Sequence, residues 1–366
     1  MNVSSFMRLL IIMPICLILG GSCSRSERIV TAQPKPISLP QTEPTVARVS
    51  QEQPQPAQII MTIGEIWLHL WEKLRADGLN QEEIAYLFIR LEEPSQDPMG
   101  RKVQELYANQ FMRTQRTASQ PDTSPNDTGI PRPWYRGFVT DANAKTCRNF
   151  INANAAAFLA AEQNYGVPAE VGAALLFVET RLGDYLGDNN AFFTLASMAI
   201  SRSPEAIPDW LDKLPGVENH LDWVNSRMAD KADWAYAELA ALLRYCLENG
   251  IDPFLMPSSA YGAIGLCQFM PSNLSRYAVD GNADGIIDLF DQADAIASLS
   301  NYLVKHGWKP GLNVEQQIKV LRRYNNLAIY ANTILALATK VKQIPGRPAV
   351  NRALPKPPGV IANASS

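Results

Sequence analysis

The chain has 366 residues, of which 46% are hydrophobic and 19% charged, and its formal net charge is −3. This length supplies a sizeable hydrophobic core in one to three domains. The nearly balanced charge, without a long basic run, excludes a nucleic-acid partner held by phosphate neutralisation.

The N-terminal residues 1–22 have the features of a signal peptide. Arg8 is their only charge, and it precedes the apolar stretch LLIIMPICLILGGS, which is too short to span a membrane and contains Pro14. The stretch ends in LGGSC, which resembles a bacterial lipoprotein processing site and predicts a lipid on Cys23. The alternative is plain secretion, with Cys23 an incidental thiol. Ser24 fits outer-membrane sorting, so we expect a periplasmic outer-membrane lipoprotein of a Gram-negative bacterium.

Proline-rich and polar stretches divide the rest of the chain. Proline and glutamine without apolar periodicity, as in QEQPQPAQ, indicate an extended tether after the lipidated cysteine. The predicted division is a tether at 23–58, a small helical unit at 59–113, a linker at 114–133, the main domain at 134–343 and a flexible tail at 344–366.

The small unit has the apolar spacing of amphipathic helices. One helix face carries Ile63, Ile66, Trp67, Leu70, Trp71 and Leu74, and Gly78 ends this helix. Asn80 is the predicted cap of a second helix. The two tryptophans predict docking onto the main domain, and a free-standing partner site is the alternative.

The main domain is predicted to be all-α. It contains alanine-rich amphipathic runs such as FINANAAAFLAAEQNYG and AYAELAALLRYCLENG, and few alternating strand patterns. Its three cysteines, Cys147, Cys246 and Cys267, allow at most one disulfide and three possible pairings, between which the sequence does not choose.

A carboxylate, Glu179, interrupts the apolar run AEVGAALLFVETRL. Pro168 opens this helix, which is predicted to end near Gly183. Apolar neighbours on the same face would raise the pKa of the carboxyl group, as a general acid requires near neutral pH. The alternative is a structural ion pair with Arg181 or a distant cation. Asp184 and Asp188 follow Gly183 and are expected to face solvent.

The segment SSAYGAIGLCQFMPS (258–272) is a candidate wall for a sugar-binding cleft. Gly262 and Gly265 permit close backbone approach, while Gln268 and Phe269 supply an amide and an aromatic ring. An ordinary loop-to-helix junction would have a similar sequence.

The segment DGNADGIIDLFD (280–291) fits an EF-hand-like calcium loop. The predicted ligands are the side chains of Asp280, Asn282 and Asp284 and the carbonyl of Ile286. Asp291 occupies the position where a bidentate Glu is usual, and Asp294, three residues later, is the alternative closing carboxylate. A solvated acidic turn is the competing interpretation.

Six ordered motifs in residues 134–338 together resemble the membrane-bound lytic murein transglycosylase B family. They are YGVP (165–168), VETRLG (178–183), GAIGLCQFMPS (262–272), RYAVDGNADGIIDLF (276–290), ADAIASLSNYLVKHGW (293–308) and RYNNLAIYA (323–331). The resemblance implies an all-α, lysozyme-like catalytic domain of the goose-type and lytic transglycosylase kind, with an EF-hand-like calcium loop. The small helical unit would precede this domain.

The family resemblance also assigns roles to residues. Glu179 matches the family's catalytic acid/base, and Asp294 is favoured over Asp291 as the closing calcium ligand. Tyr135 matches a cleft tyrosine, with Trp134 as the alternative. The other residues expected to line the glycan subsites are Ser259, Gln268, Phe269, Met270, Tyr302, Tyr324, Asn325 and Tyr330.

The implied activity is cleavage of the bond between N-acetylmuramic acid (MurNAc) and N-acetylglucosamine (GlcNAc), with formation of a 1,6-anhydro ring. Peptidoglycan glycan strands would be the substrate, Ca²⁺ a structural ion, and no organic cofactor is expected. Proteins of cell-wall synthesis or division are possible partners. The alternatives are a lysozyme-type hydrolase, which would use a second carboxylate, and a non-catalytic wall-binding scaffold.

The sequence departs from the family pattern between the HGW and YN segments, at Leu182 and Cys267, and over residues 184–258. Only KPGLNVEQQIKVLRR separates the HGW and YN segments, so the small domain that members often carry there is not expected.

Overall fold

The computed structural model describes residues 63–112 and 133–345. The predicted signal peptide, the predicted lipidation site Cys23, the whole tether, nearly all of the linker and most of the tail lie outside these residues. No helix within the described part of the chain is long and apolar enough to cross a membrane.

The first three helices form the small unit. They are α1 (Glu65–Ala76), α2 (Gln81–Ile89) and α3 (Asp97–Phe111). The Asn80 side chain accepts a hydrogen bond from the Glu82 amide, so the predicted cap of α2 is confirmed. Helix α3 was not predicted, because its sequence DPMGRKVQELYANQF has few apolar residues.

The main domain is helical, as predicted. Its helices are α4 (Asp141–Ala153), α5 (Ala155–Tyr165), α6 (Ala169–Thr180), α7 (Ala191–Ile200), α8 (Pro208–Leu211), α9 (Leu221–Asn249), α10 (Leu274–Tyr277), α11 (Gln292–Lys305), α12 (Val314–Tyr324) and α13 (Ala328–Gln343). Two short strands, β1 (Asn189–Asn190) and β2 (Pro257–Ser258), pair antiparallel, with Asn189 opposite Ser258.

Helix α6 lies at the centre of the domain. Every residue from Val171 to Val178 is buried, so the helix is apolar on all sides, as expected for a helix enclosed by others. It packs against α4, α5 and α13, while α9 packs along α7. The central position of α6 fixes Glu179 relative to three surrounding helices.

Helix α6 ends at Thr180, three residues before the predicted end near Gly183. Arg181 and Leu182 have positive φ angles of 55° and 67°, which are rare for residues with side chains. The Thr180 hydroxyl donates to the Leu266 carbonyl at 2.9 Å and accepts from the Gly183 amide at 3.1 Å. These tertiary bonds stabilise the sharp turn, and no local pattern in the sequence indicates them.

The small unit packs against the main domain. Trp67 and Trp71 are each 1% exposed. Helix α3 takes part in three hydrogen bonds across the contact: Tyr107 Oη donates to the Pro215 carbonyl at 2.9 Å, Trp210 Nε1 donates to Asp97 Oδ1 at 3.2 Å, and Tyr261 Oη donates to Glu105 Oε2 at 3.3 Å. Helix α1 contacts α7 of the main domain, while Trp67 Nε1 donates to the Glu92 carbonyl within the small unit at 3.0 Å, so docking through the tryptophans themselves stays a prediction.

Candidate active site

Glu179 lies in the last turn of α6 and remains partly exposed, while the residues on both sides of it in the helix are buried. Its Oε1 accepts a short hydrogen bond from the hydroxyl of Tyr330, in the first turn of α13. Since Tyr330 is 2% exposed, its hydroxyl is fixed in position beside the carboxylate.

Burial raises the pKa of Glu179 to about 7, and the hydrogen bond from Tyr330 opposes this rise. A buried carboxyl group favours its neutral form because it loses the hydration that stabilises its charge. A carboxyl group with a pKa near 7 is able both to give up and to take back a proton at neutral pH.

Arg181 does not pair with Glu179. The guanidinium carbon of Arg181 lies 4.1 Å from the ring centre of Phe138 and 4.6 Å from that of Phe177, as in cation–π contacts. Within the described part of the chain, no ion pair involves Glu179. The structural ion pair proposed from the sequence is therefore wrong.

A second tyrosine, Tyr324 at the end of α12, lies parallel to Tyr330, with ring centroids 6.3 Å apart and an interplanar angle of 14°. Its hydroxyl donates a short hydrogen bond to the carbonyl of Cys267. The YNN and IYA motifs, which the resemblance assigned to the cleft, are thereby brought to Glu179 and to the 258–272 segment.

The 258–272 segment forms a compact wall through its own hydrogen bonds. The Ser259 hydroxyl accepts from the amides of Tyr261 and Ala263 at 3.3 and 3.1 Å. Gln268 has a positive φ of 51°, and its side-chain amide donates to the carbonyls of Gly265 and Leu186 at 3.1 and 3.4 Å. Ser259 and Gln268 are both partly exposed.

The Phe269 ring is not an exposed platform for a sugar. It is 2% exposed and lies between 5.6 and 6.4 Å, centroid to centroid, from Tyr277, Tyr302 and Tyr324. Tyr302 is also buried, at 7% exposure, and its hydroxyl donates to the Arg323 carbonyl at 2.8 Å. These rings therefore pack behind the wall. The sequence could not show this, because a partly apolar loop motif does not reveal which of its side chains turn inward.

The remaining predicted subsite residues differ in exposure. Met270 and Asn325 are partly exposed. Tyr135 is 6% exposed, its backbone amide donates to Thr333 Oγ1 at 2.8 Å, and its hydroxyl is buried without a hydrogen-bond partner among the described residues. Burial, and secondarily the charge of Glu179, raise the pKa of Tyr135 to about 12. Tyr135 therefore lies near Glu179, whereas the alternative, Trp134, is partly exposed.

Two residues that support the site were missed in the sequence. Thr180 links α6 to the wall as described above. Glu238, 5% exposed on α9, accepts hydrogen bonds from the Ser272 amide at 2.8 Å and the Ser272 hydroxyl at 2.9 Å. Glu238 could have been noticed as a carboxylate in the apolar run AYAELAALL, but its partner is 34 residues away.

The predicted calcium loop is folded around its own carboxylates. Asp280 Oδ1 accepts from the Ala283 amide at 2.6 Å, and its Oδ2 accepts from the Gly285 amide at 2.8 Å. Gly285 has a φ of 90°, as the turn position of such a loop requires. Asp284 and Asn282 also accept amides within the loop. No group of three or more His, Cys, Asp or Glu side chains in residues 63–112 and 133–345 is arranged to hold a metal ion.

The two candidate closing residues differ in role. Asp294 is 1% exposed, and its carboxylate turns back into the loop, accepting the amides of Gly281 and Asp288 at 2.7 Å each. Asp291 instead caps α11 by accepting the amides of Ala293 and Asp294. Of the two, only Asp294 points into the loop, so Asp294 rather than Asp291 is in position to close a site there.

The other predicted carboxylates and thiols lie apart from Glu179. Asp184 and Asp188 are exposed, and Asp188 accepts the Tyr185 hydroxyl at 2.6 Å. No carboxylate contributes to the pKa shift of Glu179. The three described cysteines, Cys147, Cys246 and Cys267, are free and buried, so none of the possible disulfides is formed.

Solved structures with the same fold include two lytic transglycosylases. Soluble lytic transglycosylase SltB1 from Pseudomonas aeruginosa has a TM-score of 0.54 and 22% sequence identity, and the similarity covers 79% of this chain and 99% of that chain. Lytic transglycosylase Slt35 from Escherichia coli, solved in complex with calcium, has a TM-score of 0.55 and 22% identity over 79% of this chain and 98% of that one. These likenesses confirm the predicted lysozyme-like helical fold.

A third structure, of SltB3 from Pseudomonas aeruginosa, was solved in complex with NAG-NAM-pentapeptide. It has a TM-score of 0.53 and 19% identity, over 75% of this chain and 78% of that chain.

The sequence comparisons give the family. Membrane-bound lytic murein transglycosylase B of Escherichia coli (strain K12) is 30% identical over 195 residues, which are 53% of this chain and 46% of that relative. The chain therefore matches about half the length of this curated relative. The model of the transglycosylase SLT domain matches residues 64–321, which is well over half of the chain. The chain belongs to the transglycosylase SLT domain family, as the sequence motifs predicted.

Proposed function

We propose that this protein is a peptidoglycan lytic transglycosylase, which cleaves the MurNAc-β-1,4-GlcNAc bond and forms 1,6-anhydro-MurNAc during cell-wall remodelling. One observation carries the proposal. A single carboxylate with a pKa near 7, Glu179, lies beside the Tyr330 hydroxyl with no second carboxylate perturbing it. Most glycosidases that use water have a pair of carboxylates, one on either side of the bond.

Glu179 performs both proton transfers in this reaction. In its neutral form it protonates the oxygen between MurNAc and GlcNAc, and the C1–O bond breaks. The substrate's acetamido group stabilises the positive charge at C1. The resulting carboxylate then removes the proton from the C6 hydroxyl of MurNAc, whose oxygen bonds to C1. Glu179 ends neutral again, and no water is consumed.

The substrate assignment rests on the family and on the cleft. A relative with the same fold, SltB3, binds NAG-NAM-pentapeptide. We assign the glycan subsites to the partly exposed polar and flexible residues around Glu179, supported by buried tyrosines and Phe269. The proposed lining residues are Ser259, Gln268, Met270, Tyr324 and Asn325, and the proposed supporting residues are Tyr135, Phe269, Tyr302 and Tyr330.

The test is digestion of purified murein sacculi with the full-length protein, followed by mass spectrometry of the released muropeptides. We expect products one water lighter than those of a muramidase, which carry the anhydro ring. Products with reducing ends would show a lysozyme-type hydrolase instead. No cleavage would favour a non-catalytic wall-binding protein.

A substitution of Glu179 tests its role as the acid, and a substitution elsewhere is the matched control. Glu179→Gln keeps the size and the acceptor for Tyr330 but has no proton to donate, so we expect a loss of roughly 10²–10⁴-fold. Glu162→Gln changes an exposed carboxylate at the end of α5 in the same way and should leave the activity unchanged. Equal activity of both variants would remove Glu179 from the mechanism.

The 280–294 loop is proposed to bind a structural Ca²⁺ through Asp280, Asn282, Asp284, the Ile286 carbonyl and Asp294. The inward carboxylates and the turn at Gly285 support this assignment. When bound, the ion would neutralise the acidic side chains of the loop; it takes no part in the proton transfers.

The cellular setting is proposed from the N-terminal sequence. A lipid on Cys23 would anchor the protein to the outer membrane, with the tether of residues 23–58 holding the small helical unit and the catalytic domain in the periplasm. The related lytic transglycosylase B of Escherichia coli is described as membrane-bound. Metabolic labelling with a radioactive fatty acid, compared between the native chain and Cys23→Ala, tests the anchor.

A further inference from the structure

Helix α3 of the small unit contacts the proposed cleft wall through Tyr261, a residue outside the proposed glycan subsites. Tyr261 Oη donates to Glu105 Oε2 at 3.3 Å, and Lys102 Nζ lies 4.0 Å from the centre of the Tyr261 ring. Lys102 Nζ in turn donates to the same oxygen of Glu105 at 2.8 Å. The three side chains therefore all contact one another, although Tyr261 is 156 positions from Glu105 in the sequence.

This contact is partly shielded from water. The side chains of Lys102 and Glu105 are only 18% and 17% exposed, and Tyr261 is also partly buried. A cation over the face of a tyrosine ring is attracted by the ring, and more strongly where water is excluded. Burial, and secondarily the charge of Glu105, raise the pKa of the Tyr261 hydroxyl, so this group stays protonated and able to donate.

The main chain of Tyr261 belongs to a tight turn that is organised around Ser259. The Gly262 amide donates to the Ser259 carbonyl at 3.1 Å. The amides of Tyr261 and Ala263 donate to the Ser259 hydroxyl oxygen at 3.3 and 3.1 Å. Three successive amides thus bond to Ser259, and the first of them belongs to the residue whose side chain α3 holds.

The other side of this turn packs on α7. Gly262 has a φ of 85°, and an added Cβ there would lie 2.8 Å from Leu195 Cγ. Leu195 is fully buried in α7, so it has little freedom to move away. The turn is therefore held by the main domain at Gly262 and by the small unit at Tyr261.

We propose that Lys102 and Glu105 are positioning residues for the glycan cleft: they hold Tyr261, and Tyr261 fixes the turn that presents Ser259. The small unit then contributes to substrate binding without lining a subsite itself. The inference rests on the proposed function, since Ser259 is one of its proposed lining residues. Glu179 lies outside this contact, so the proton transfers do not depend on it.

A second contact between the small unit and the main domain has the same chemistry and serves as a control. Lys73 Nζ lies 3.7 Å from the centre of the Tyr236 ring, and Tyr236 Oη donates to Asp77 Oδ2 at 2.5 Å. Lys73 and Asp77 lie at the end of α1, and Tyr236 lies on α9. Within the described part of the chain, Tyr236 makes no hydrogen bond to the 258–272 segment. Loss of this contact weakens the docking of the small unit without touching the turn at Ser259.

The first experiment observes the turn directly and does not depend on cleavage. Hydrogen–deuterium exchange of the full-length chain is followed by mass spectrometry at the amides of residues 261–263. We expect exchange to be about five-fold faster in Lys102→Met, because the ring loses its cation and the turn opens more often. Lys102→Arg keeps a cation over the ring and should exchange as the native chain does, as should Lys73→Met. Native exchange in Lys102→Met, or an equal increase in Lys73→Met, would overturn the proposal.

The second experiment measures kcat and KM on murein for the same variants. We expect KM to rise about five-fold in Lys102→Met with kcat and its pH profile unchanged, since substrate binding is weakened and Glu179 is not affected. Lys102→Arg and Lys73→Met should keep the native KM. A native KM in Lys102→Met, or a fall in its kcat alone, would refute a role in substrate binding. If the native chain cleaved no murein, the proposed function would fail, while the exchange measurement would still decide whether α3 positions the turn.

Discussion

At the scale of single residues, the proposed chemistry depends on the pair Glu179–Tyr330. The α6 helix supplies a carboxyl group with apolar surroundings, and α13 supplies the hydroxyl that faces it. Burial and the hydrogen bond act in opposite directions on the pKa of the carboxyl group, and burial is the larger effect. The result is an acid that is half ionised near neutral pH.

The first prediction concerns the pH dependence of activity. Since Glu179 must be protonated to act as the acid, kcat/KM on murein should fall above about pH 7. Tyr330→Phe removes a donor that favours the charged carboxylate, so the pKa should rise and the alkaline limb should move to higher pH. Tyr324→Phe, whose hydroxyl bonds to Cys267 rather than to Glu179, is the control. If the alkaline fall in kcat/KM occurred at the same pH in Tyr330→Phe as in the native chain, Tyr330 would not control the pKa of Glu179.

The second prediction concerns stability. The folded state raises the pKa of Glu179 from 4.5 to about 7, so the stability linked to this group is complete below pH 4.5 and is lost as pH rises through 7. A shift of this size corresponds to about 3 kcal/mol at most. Residue 179 cannot ionise in Glu179→Gln. The free energy of unfolding of this variant, relative to that of the native chain, should therefore be higher at about pH 8 than at about pH 5.

Urea unfolding at both pH values measures this difference. The comparison of the variant with the native chain cancels the other titrating groups, which are common to both. An identical free-energy difference at the two pH values would mean that Glu179 titrates normally.

At the scale of elements, the 280–294 loop joins the wall to α11. Its Leu289 carbonyl accepts the Leu266 amide at 2.9 Å, and a side chain on Gly265 would collide with Leu289, since its Cβ would lie 2.4 Å from the Leu289 Cβ. The Leu266 carbonyl in turn accepts the Thr180 hydroxyl next to Glu179. The loop is thus in direct contact with the segment that supports the turn after Glu179.

The third prediction distinguishes the two closing carboxylates of this loop. If Asp294 is the ligand, added Ca²⁺ should raise the Tm of the native chain and of Asp291→Asn, but not that of Asp294→Asn. Binding to the folded state alone stabilises it by about 2.7 kcal/mol at a free concentration of 100 Kd. Differential scanning calorimetry with Ca²⁺ and with chelator measures the shift. A native Tm that does not respond to chelator would exclude an occupied site.

Features set by neighbouring residues could be predicted from the sequence, whereas contacts between residues far apart in the sequence could not. The α6 helix and Glu179 follow from the apolar run that Pro168 opens, and the turn at 280–291 follows from residues at fixed offsets. By contrast, the Tyr330–Glu179 bond joins residues 151 positions apart, and only the family motifs indicated that Tyr330 belongs to the site. The early end of α6 and the inward turn of Phe269 also depend on tertiary contacts, which override local preference.

At the scale of the whole molecule, the small unit and the main domain together border a cavity of about 810 Å³. Helices α3 and α8 approach closely at Gly100, where no side chain separates them. An added Cβ on Gly100 would lie 2.1 Å from Trp210 Cγ, well inside van der Waals contact. Because both residues belong to packed helices, the geometry of this contact sets how the two parts meet.

The last prediction tests that contact. Gly100→Ala should destabilise the protein by about 1–2 kcal/mol, because overpacking against the Trp210 ring outweighs the better helix propensity of alanine, which is worth about 1 kcal/mol. In a Trp210→Leu background the ring is gone, so the same substitution should become neutral or stabilising. Urea unfolding of the four proteins in this double-mutant cycle gives the coupling between the two residues. If Gly100→Ala cost the same in both backgrounds, the close packing of α3 on Trp210 could not be what holds the small unit against the main domain.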